Sequence, residues 1–485
     1  MNYILVLRLL GNLCAAFTVI MALPLLVALA IDRGSIMAIV NTMIISGGAA
    51  YFMKRSGSGR IRQRLGIREA ICLMGCGWVM VCLMGALPYL FTGSLDVVAS
   101  VFESVSGFTT TGVTTARSFS EFPPSILVWR ALTHWCGGIG VIMLFIIIMP
   151  QMSGGTGYLF NAELPGAMAE RTLPKIKESA RLILYIYAVL TLAEIALLML
   201  AGVDFLQSVN LALATMATGG FSYYTDSLIA FHSVFVEIIA IVFMLISSMN
   251  FSLYYKMWRG DWDALRQDSE HRYYLGMLLL AFAAVSADLY LSGYMDMAGS
   301  LRHGLFQVVS IGSTTGFASD DFNNWPSFSR YILFLLMFVG GCGGSTAGGI
   351  KISRMVILLK TAWAELLRTL HPRLVYSVKF GDRVIDPEVV GSVTRFFFLY
   401  ILVFMVLSIL ISLSGLSVMD SMGLIAACLS SVGPAFGIVG PSATYSELST
   451  YARFISILAM LLGRLEIFSL LIILQPDFWQ TKKNW

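Results

Sequence analysis

Charge is what this sequence has least of. Asp, Glu, Lys and Arg make up 12% of its 485 residues and apolar side chains 57%, against about 25% charged in soluble domains. A water-facing surface needs more charge than that, so an ordinary soluble domain is excluded. An excess of one sign is missing too: 32 Lys and Arg stand against 28 Asp and Glu, a net +4 that supplies no basic stripe for nucleic acid. Histidine is scarce, and His134, His232, His271, His303 and His371 are scattered with no metal-ligand spacing. There is no GxGxxG after a strand and no P-loop, so the chain offers no recognisable nucleotide site. No HExxH, paired carboxylates or nucleophile–base arrangement sits at a shared depth among the spans, which argues against an enzyme. Cys14, Cys72, Cys76, Cys82, Cys136, Cys342 and Cys428 all sit in apolar or glycine-rich sequence and read as small buried hydrophobes. The N-terminal MNYILVLRLLGNLC lacks the small-residue cleavage site of a signal peptide and reads as a permanent span.

What the sequence has in abundance is long apolar runs. Mean hydropathy is +0.80. Runs that meet the ~18 residues of a helical span lie near 3–31, 36–53, 68–91, 125–150, 179–202, 229–255, 272–293, 328–360 (interrupted), 391–414 and 450–475. Basic residues fix the orientation. Lys54, Arg55, Arg60, Arg62, Arg64 and Arg68 follow the second run, whereas the stretch 92–130 holds only Arg117 and Arg130. Further basic clusters run from Arg171 to Arg181, from Lys256 to Arg272 and from Lys351 to Lys379. These segments are expected to face the cytoplasm, and an even number of spans then leaves both termini there.

Between spans lie four related stretches: FESVSGFTTTGVTT, VNLALATMATGGFS, FQVVSIGSTTGFAS and LIAACLSSVGPAFG. Each follows a span ending in a Gly or an acidic residue. Each has about a dozen semi-apolar residues, then a Thr/Ser-x-Gly turn, then a polar lead into the next span. Aligning the turns puts Gly112, Gly219, Gly316 and Gly433 in register, roughly a hundred residues apart. The semi-apolar pieces are too short to cross a bilayer and are expected to be re-entrant. Irregular backbone at membrane depth survives only when buried by protein or lining a water-filled cavity, and four such turns converging on one axis supply that burial for each other. The predicted fold is an all-α polytopic membrane protein. Four fused span–pore helix–filter loop–span repeats surround one central pore, with an extra N-terminal helix pair. Boundaries are set at 1–60 for the helix pair and 61–155, 156–260, 261–370 and 371–485 for the repeats, the third carrying the broken helix.

The four turns hold no carboxylate, imidazole or thiol, so neither a metal centre nor acid–base chemistry is built there. They offer carbonyls, hydroxyls and glycines. Four loops of carbonyl oxygens replace the hydration shell of a monovalent cation in potassium-channel filters, glycine allows the positive φ that aims carbonyls along an axis, and helix C-termini turn their negative ends toward the ion. The plainer alternative is a set of tight hairpin turns.

With TTTG, ATGGFS, STTGF, SVGP, LTHWCGGIGVIML, GGCGGSTAGGIK and LGRLEIFSLL together, the chain resembles the Trk/Ktr/HKT superfamily of potassium-translocating subunits, specifically the Trk type, over almost its whole length. The resemblance implies four potassium-channel-like units and filter strands Thr110-Thr111-Gly112-Val113, Ala217-Thr218-Gly219-Gly220, Thr314-Thr315-Gly316-Phe317 and Ser431-Val432-Gly433-Pro434. It implies K+ as the transported ion, held at Thr111, Thr218, Thr315 and Val432, with no organic cofactor. Members with serine for the first-repeat glycine tend toward sodium; this chain keeps all four glycines, which implies potassium. Ser431 departs from the asparagine common there, and Ala347 from a common glycine.

The eighth span is broken by Gly340-Gly341-Cys342-Gly343-Gly344-Ser345-Thr346-Ala347-Gly348-Gly349, followed by Lys351. Each glycine costs a helix about 1 kcal/mol. Small-residue packing is the alternative reading, but the run is dense and polar, and an uncoiled loop under the third turn would block the exit. Arg464 lies in the last span, about mid-helix. An intramembrane charge marks function by default, and a structural ion pair with Glu466 or Glu237 is the competing role. In the superfamily the matching loop acts as a gate with an arginine beside it, so the resemblance assigns Gly340–Gly349, Lys351 and Arg464 to a gate.

Glu194 and Asp288 are expected to be buried helix–helix hydrogen-bonders, with a place on the ion pathway as the lesser alternative, Glu103 to brace the filter or attract cations, and Trp129, Trp325 and Trp479 to anchor at the membrane interface. A secondary transporter of another small cation or solute, built on broken helices, is the runner-up function; it would show inverted halves and a carboxylate at the site. The resemblance further implies a cytosolic nucleotide-binding regulatory ring of the RCK/KTN (TrkA-like) kind, a homodimer in contact with membrane lipids, and residence in a bacterial inner membrane.

Overall fold

The computed structural model describes residues 2–57, 66–119, 122–148, 173–373, 377–381, 383–441 and 443–479. Arg60, Arg62, Arg64 and Arg171 of the basic segments lie outside them. Helices dominate the described residues, and the one regular sheet pairs Lys379–Phe380 antiparallel with Arg383–Val384.

Each of the ten expected runs is helical, but three are bent or split. Among the described residues, six helices are long and apolar enough to cross a membrane: Tyr3–Ala30, Arg33–Ser56, Arg68–Phe91, Ala180–Leu200, Ser269–Leu291 and Pro387–Ser412. Two bent pairs bring that to eight, Val234–Ser248 with Phe251–Trp258 at 91° and Thr450–Arg464 with Ile467–Leu474 at 112°. The remaining two runs are the helix Pro124–Ile148 and the split pair Ser327–Phe338 and Ile352–Leu370. Val19, Met37, Phe235, Leu280 and Leu291 are exposed on these helices, a face that lipid, not water, accommodates. Trp129 and Trp325 correct the interfacial expectation. Both are fully buried, with indole N–H groups donating to the Gly85 carbonyl at 3.1 Å and the Asp320 carboxylate at 2.6 Å; only Trp479 of the three is exposed. The seven cysteines are all free, and none is exposed.

After the N-terminal pair, one unit recurs four times. A long outer helix (Ile67–Phe91, Leu173–Leu200, Ser269–Leu291, Pro387–Ser412) ends at a glycine of positive φ: Gly93, Gly202, Gly293 and Gly415. Two or three residues on, a capping side chain takes up a free N–H of the next helix. Asp96 accepts from Ala99, Asp204 from Leu206, Asp296 from Gly299 and Ser417 from Asp420. Such caps stabilise a helix start by ~1 kcal/mol, and the three aspartates among them also place negative charge at its positive end. The short helices that follow are Val97–Phe108, Phe205–Met216, Met297–Gly312 and Val418–Leu429. At 1.5 Å per residue, a 12-residue helix reaches about 18 Å, well short of the ~30 Å hydrocarbon core. Their last seven residues are buried in every copy. The re-entrant expectation is met, and protein provides the burial it requires.

Candidate functional site

All four short helices end alike. At the first, Thr111 N–H donates to Ser106 O and Thr110 N–H to Gly107 O. The same pair of bonds joins Gly219 to Ala214 and Thr218 to Thr215, Thr315 to Ser310 and Thr314 to Ile311, and Val432 to Ala427 and Ser431 to Cys428. This double closure forces the residue after the cap into the left-handed region, a place glycine usually fills. Here it holds Thr110 (φ 52°), Thr218 (50°), Thr314 (58°) and Ser431 (54°). A side chain there costs about 1–2 kcal/mol, and strain repeated four times at one position is a mark of function. Two residues on, positive φ recurs at Gly112, Gly220, Gly316 and Gly433.

This geometry moves the second strand. ATGGFS has two adjacent glycines, and alignment of the turns picks Gly219, but the backbone uses Gly220. Ala217 is the helix cap, so the strand is Thr218-Gly219-Gly220-Phe221, one residue later than expected. Gly219, not Thr218, then stands level with Thr111, Thr315 and Val432.

The strands close a ring in chain order. A Cβ on Gly112 would overlap the carbonyl oxygen of Gly219, one on Gly220 that of Thr315, and one on Gly316 that of Val432. One on Gly433 would come within 2.6 Å of Thr111 O, completing the circle. Each glycine is therefore required twice, for its φ and for the contact with its neighbour's carbonyl. The inner helices that follow the strands press as closely on the ring: a Cβ on Gly137 of the first, Pro124–Ile148, would overlap Phe108 O, and one on Gly463 of the last, Thr450–Arg464, would overlap Leu429 O. His134 fills the space behind Gly219, its ring stacked on Phe221 with centroids 3.8 Å apart.

The interrupted span forms a closed loop. Its stem is joined by Gly340 N–H to Ile350 O and Ile350 N–H to Phe338 O, and no residue from Gly340 to Lys351 is exposed. Gly348 N–H donates to the Thr314 hydroxyl of the third strand at 2.7 Å. The Thr346 hydroxyl lies 3.2 Å from Met216 O and 3.0 Å from Ser247 O. Cys342 N–H donates to Ser248 O, and Gly344 O accepts from Phe251 N–H, so the loop is seated in the 91° bend between Ser248 and Phe251. The Lys351 ammonium donates to Ala347 O.

Arg464 sits at the end of Thr450–Arg464, where the last span bends, and not in mid-helix. It is buried and donates through Nη1 to Thr346 O at 3.0 Å and through Nη2 to Gly137 O at 3.3 Å. It thus pins the loop to the first inner helix. The competing role as an ion-pair partner of Glu237 is overturned, because Glu237 takes a two-pronged bond from Arg302 at 2.7 Å on each oxygen; the Glu466 side chain lies outside the described ones. Asp288 accepts from the N–H and hydroxyl of Ser329, the helix–helix role expected of it. Glu194 is buried in the second outer helix and meets the Thr215 side chain of the second short helix, a helix–helix contact of the kind expected of it. Glu270 was missed: buried at the start of the third outer helix, it accepts from Gly343 N–H at 2.9 Å and from Ser353 N–H at 3.3 Å. Nothing in its local sequence signals that role, which depends on a loop about 75 residues away.

A sequence model of the TrkH family, described as "Cation transport protein", matches residues 35–481. The Trk system potassium uptake protein TrkH of Halomonas elongata is 35% identical over 484 residues, covering 99% of this chain and all of that one. TrkH of Escherichia coli K12 is 33% identical over 488 residues with the same coverage. The crystal structure of the potassium transporter TrkH from Vibrio parahaemolyticus superposes with a TM-score of 0.91 at 32% identity, over 99% of this chain and 100% of that one. Fold and site define a polytopic membrane protein of four potassium-channel-like repeats around one axis. The chain belongs to the TrkH family of cation transport proteins.

Proposed function

We propose that this protein takes up potassium through the ring of four strands, driven by the electrochemical gradient. The observation that carries the reading is the closed circle Gly112–Gly219, Gly220–Thr315, Gly316–Val432 and Gly433–Thr111, the backbone cage that replaces a monovalent ion's hydration shell. K+ is held level with the carbonyls of Thr111, Gly219, Thr315 and Val432. The loop Gly340–Gly349, with Lys351 and Arg464, is the gate: it lies across the ends of three short helices, and Arg464 adds a cation where an ion would leave the cage. Glycine-rich backbone moves at low cost, as gating segments require. The basic segments and both termini face the cytoplasm of a bacterium whose inner membrane holds the protein. A cytosolic nucleotide-binding ring regulates the gate, and the pore works as a homodimer. The names of the relatives, potassium uptake proteins of the Trk system, support the choice of ion.

The test is growth of a potassium-uptake-deficient bacterium on low potassium. Wild type restores growth, and Gly112→Ser loses discrimination against sodium. Failure of the wild type with its cognate regulatory ring, or unchanged selectivity in Gly112→Ser, would overturn the proposal.

A further inference from the structure

The four strands share one backbone but not one set of supports. In repeats 1 and 3 the short helix holds its own strand from behind. Ser106 donates to Val113 O and Ser310 to Phe317 O, both at 2.6 Å, and Gln307 donates to Phe317 O at 3.3 Å. Thr109 and Thr111 share a hydroxyl hydrogen bond of 2.8 Å, as do Ser313 and Thr315. In repeats 2 and 4 the positions matching Ser106 hold Ala214 and Ala427, and those matching Glu103 and Gln307 hold Leu211 and Leu424. Because the ring runs in chain order, the two braced strands face each other across the axis.

Strand 2 is instead supported from repeat 1. Glu103 is fully buried and accepts from Arg130 Nε at 2.5 Å with one oxygen. Its other oxygen accepts from the Thr114 hydroxyl at 3.0 Å and Thr115 N–H at 3.2 Å, just beyond strand 1. Arg130 donates through Nη1 to Ser222 O at 3.0 Å, just beyond strand 2, and lies 3.5 Å over the Phe221 ring. At the other joins neutral bonds tie the segments just beyond the strands: Ala318 N–H to the Ser227 hydroxyl, Asn323 with Gly437, and Tyr445 N–H to Thr114 O. The ion pairs between those repeats, Glu237 with Arg302 and Arg117 with Glu447, are partly or largely exposed on at least one side. A buried charge pair is costly unless its partners are compensated; here both Glu103 oxygens accept hydrogen bonds, and Arg130 has a second bond to Ser222 O and the Phe119 and Phe221 rings beside it.

We infer that Glu103 and Arg130 are positioning residues for ion selectivity, fixing the spacing of strands 1 and 2, a join at which the described residues show no backbone–backbone hydrogen bond. The inference rests on the four strands being the selectivity filter. A carboxylate is required at 103 because both its oxygens accept. A carboxamide must turn its NH2 toward either the guanidinium or the strand's own donors.

The test is K+ and Na+ uptake by the full-length protein in liposomes, comparing wild type with Gly112→Ser, Glu103→Gln and Thr114→Val. Thr114→Val removes one bond to Glu103 without stranding a buried charge, so it decides the matter should Glu103→Gln not fold. Glu103→Gln lowers the K+/Na+ uptake ratio roughly tenfold, the scale of one charge-assisted hydrogen bond, and Thr114→Val lowers it about threefold. Both keep the wild-type melting temperature to within a few degrees. Should Gly112→Ser change the ratio while neither of the other two does, the positioning role is wrong and the filter stands. An unchanged ratio in Gly112→Ser overturns the filter itself and this inference with it.

Discussion

Replacing Arg464 by alanine removes the side chain that joins the loop to the first inner helix. The two bonds lost run from a guanidinium to Thr346 O and Gly137 O, and hydrogen bonds from charged groups contribute about 1.5–3 kcal/mol each. Water entering the vacated space replaces much of that, leaving about 2 kcal/mol against the seated loop. Every 1.4 kcal/mol is tenfold in an equilibrium, so the displaced form gains roughly 30-fold. Loss of the buried positive charge also raises cation occupancy on that side of the ring, and both effects act in one direction. Rubidium or potassium uptake into liposomes should therefore rise severalfold or more in Arg464→Ala, with the K+/Na+ ratio unchanged because no strand is touched. Arg464→Lys should fall between, since it keeps the charge but not the fork that reaches two carbonyls. Folded Arg464→Ala with uptake equal to or below wild type would show that the loop is not held shut by this residue.

Three further outcomes follow from the same contacts. Gly220→Ala should abolish selective uptake while the protein still assembles, because a Cβ there overlaps Thr315 O at positive φ; potassium-dependent growth and membrane abundance read the two separately. Glu270→Gln weakens the bonds to Gly343 and Ser353 at a cost of about 1–3 kcal/mol, lowering the melting temperature of the purified protein and raising uptake. Thr346→Val keeps the side chain's shape but removes its hydroxyl from between Met216 O and Ser247 O, and uptake should rise severalfold, on the scale of ~1 kcal/mol for a neutral hydrogen bond.

Much of the fold was legible in the sequence because membranes restrict backbone so severely. Only helices or buried irregular segments survive there, so apolar run lengths and the recurrence of Thr/Ser-x-Gly at one place in four units led directly to re-entrant helices. The break after Phe338 could be read for the same reason: six glycines in ten residues cannot continue a helix. What sequence could not resolve was register to a single residue. In ATGGFS either glycine satisfies the pattern, and only the bond from Gly219 N–H to Ala214 O settles which one takes positive φ. Partners were also hidden. Glu237 and Arg302 meet across two repeats, as do Arg130 and Ser222, and no local spacing encodes such meetings. The tryptophans misled for a related reason, since an indole suits an interface and a packed core equally and only tertiary contacts at Gly85 and Asp320 decide between them.

The central claim is that four backbone strands form one ion cage. It is tested most directly by anomalous diffraction from crystals grown with rubidium or thallium in place of potassium. The account predicts density on the axis enclosed by the strands, level with the carbonyls of Thr111, Gly219, Thr315 and Val432, and its loss in Gly112→Ser. Ordered ions found only at carboxylates elsewhere in the protein, with an empty axis in the wild type, would contradict it.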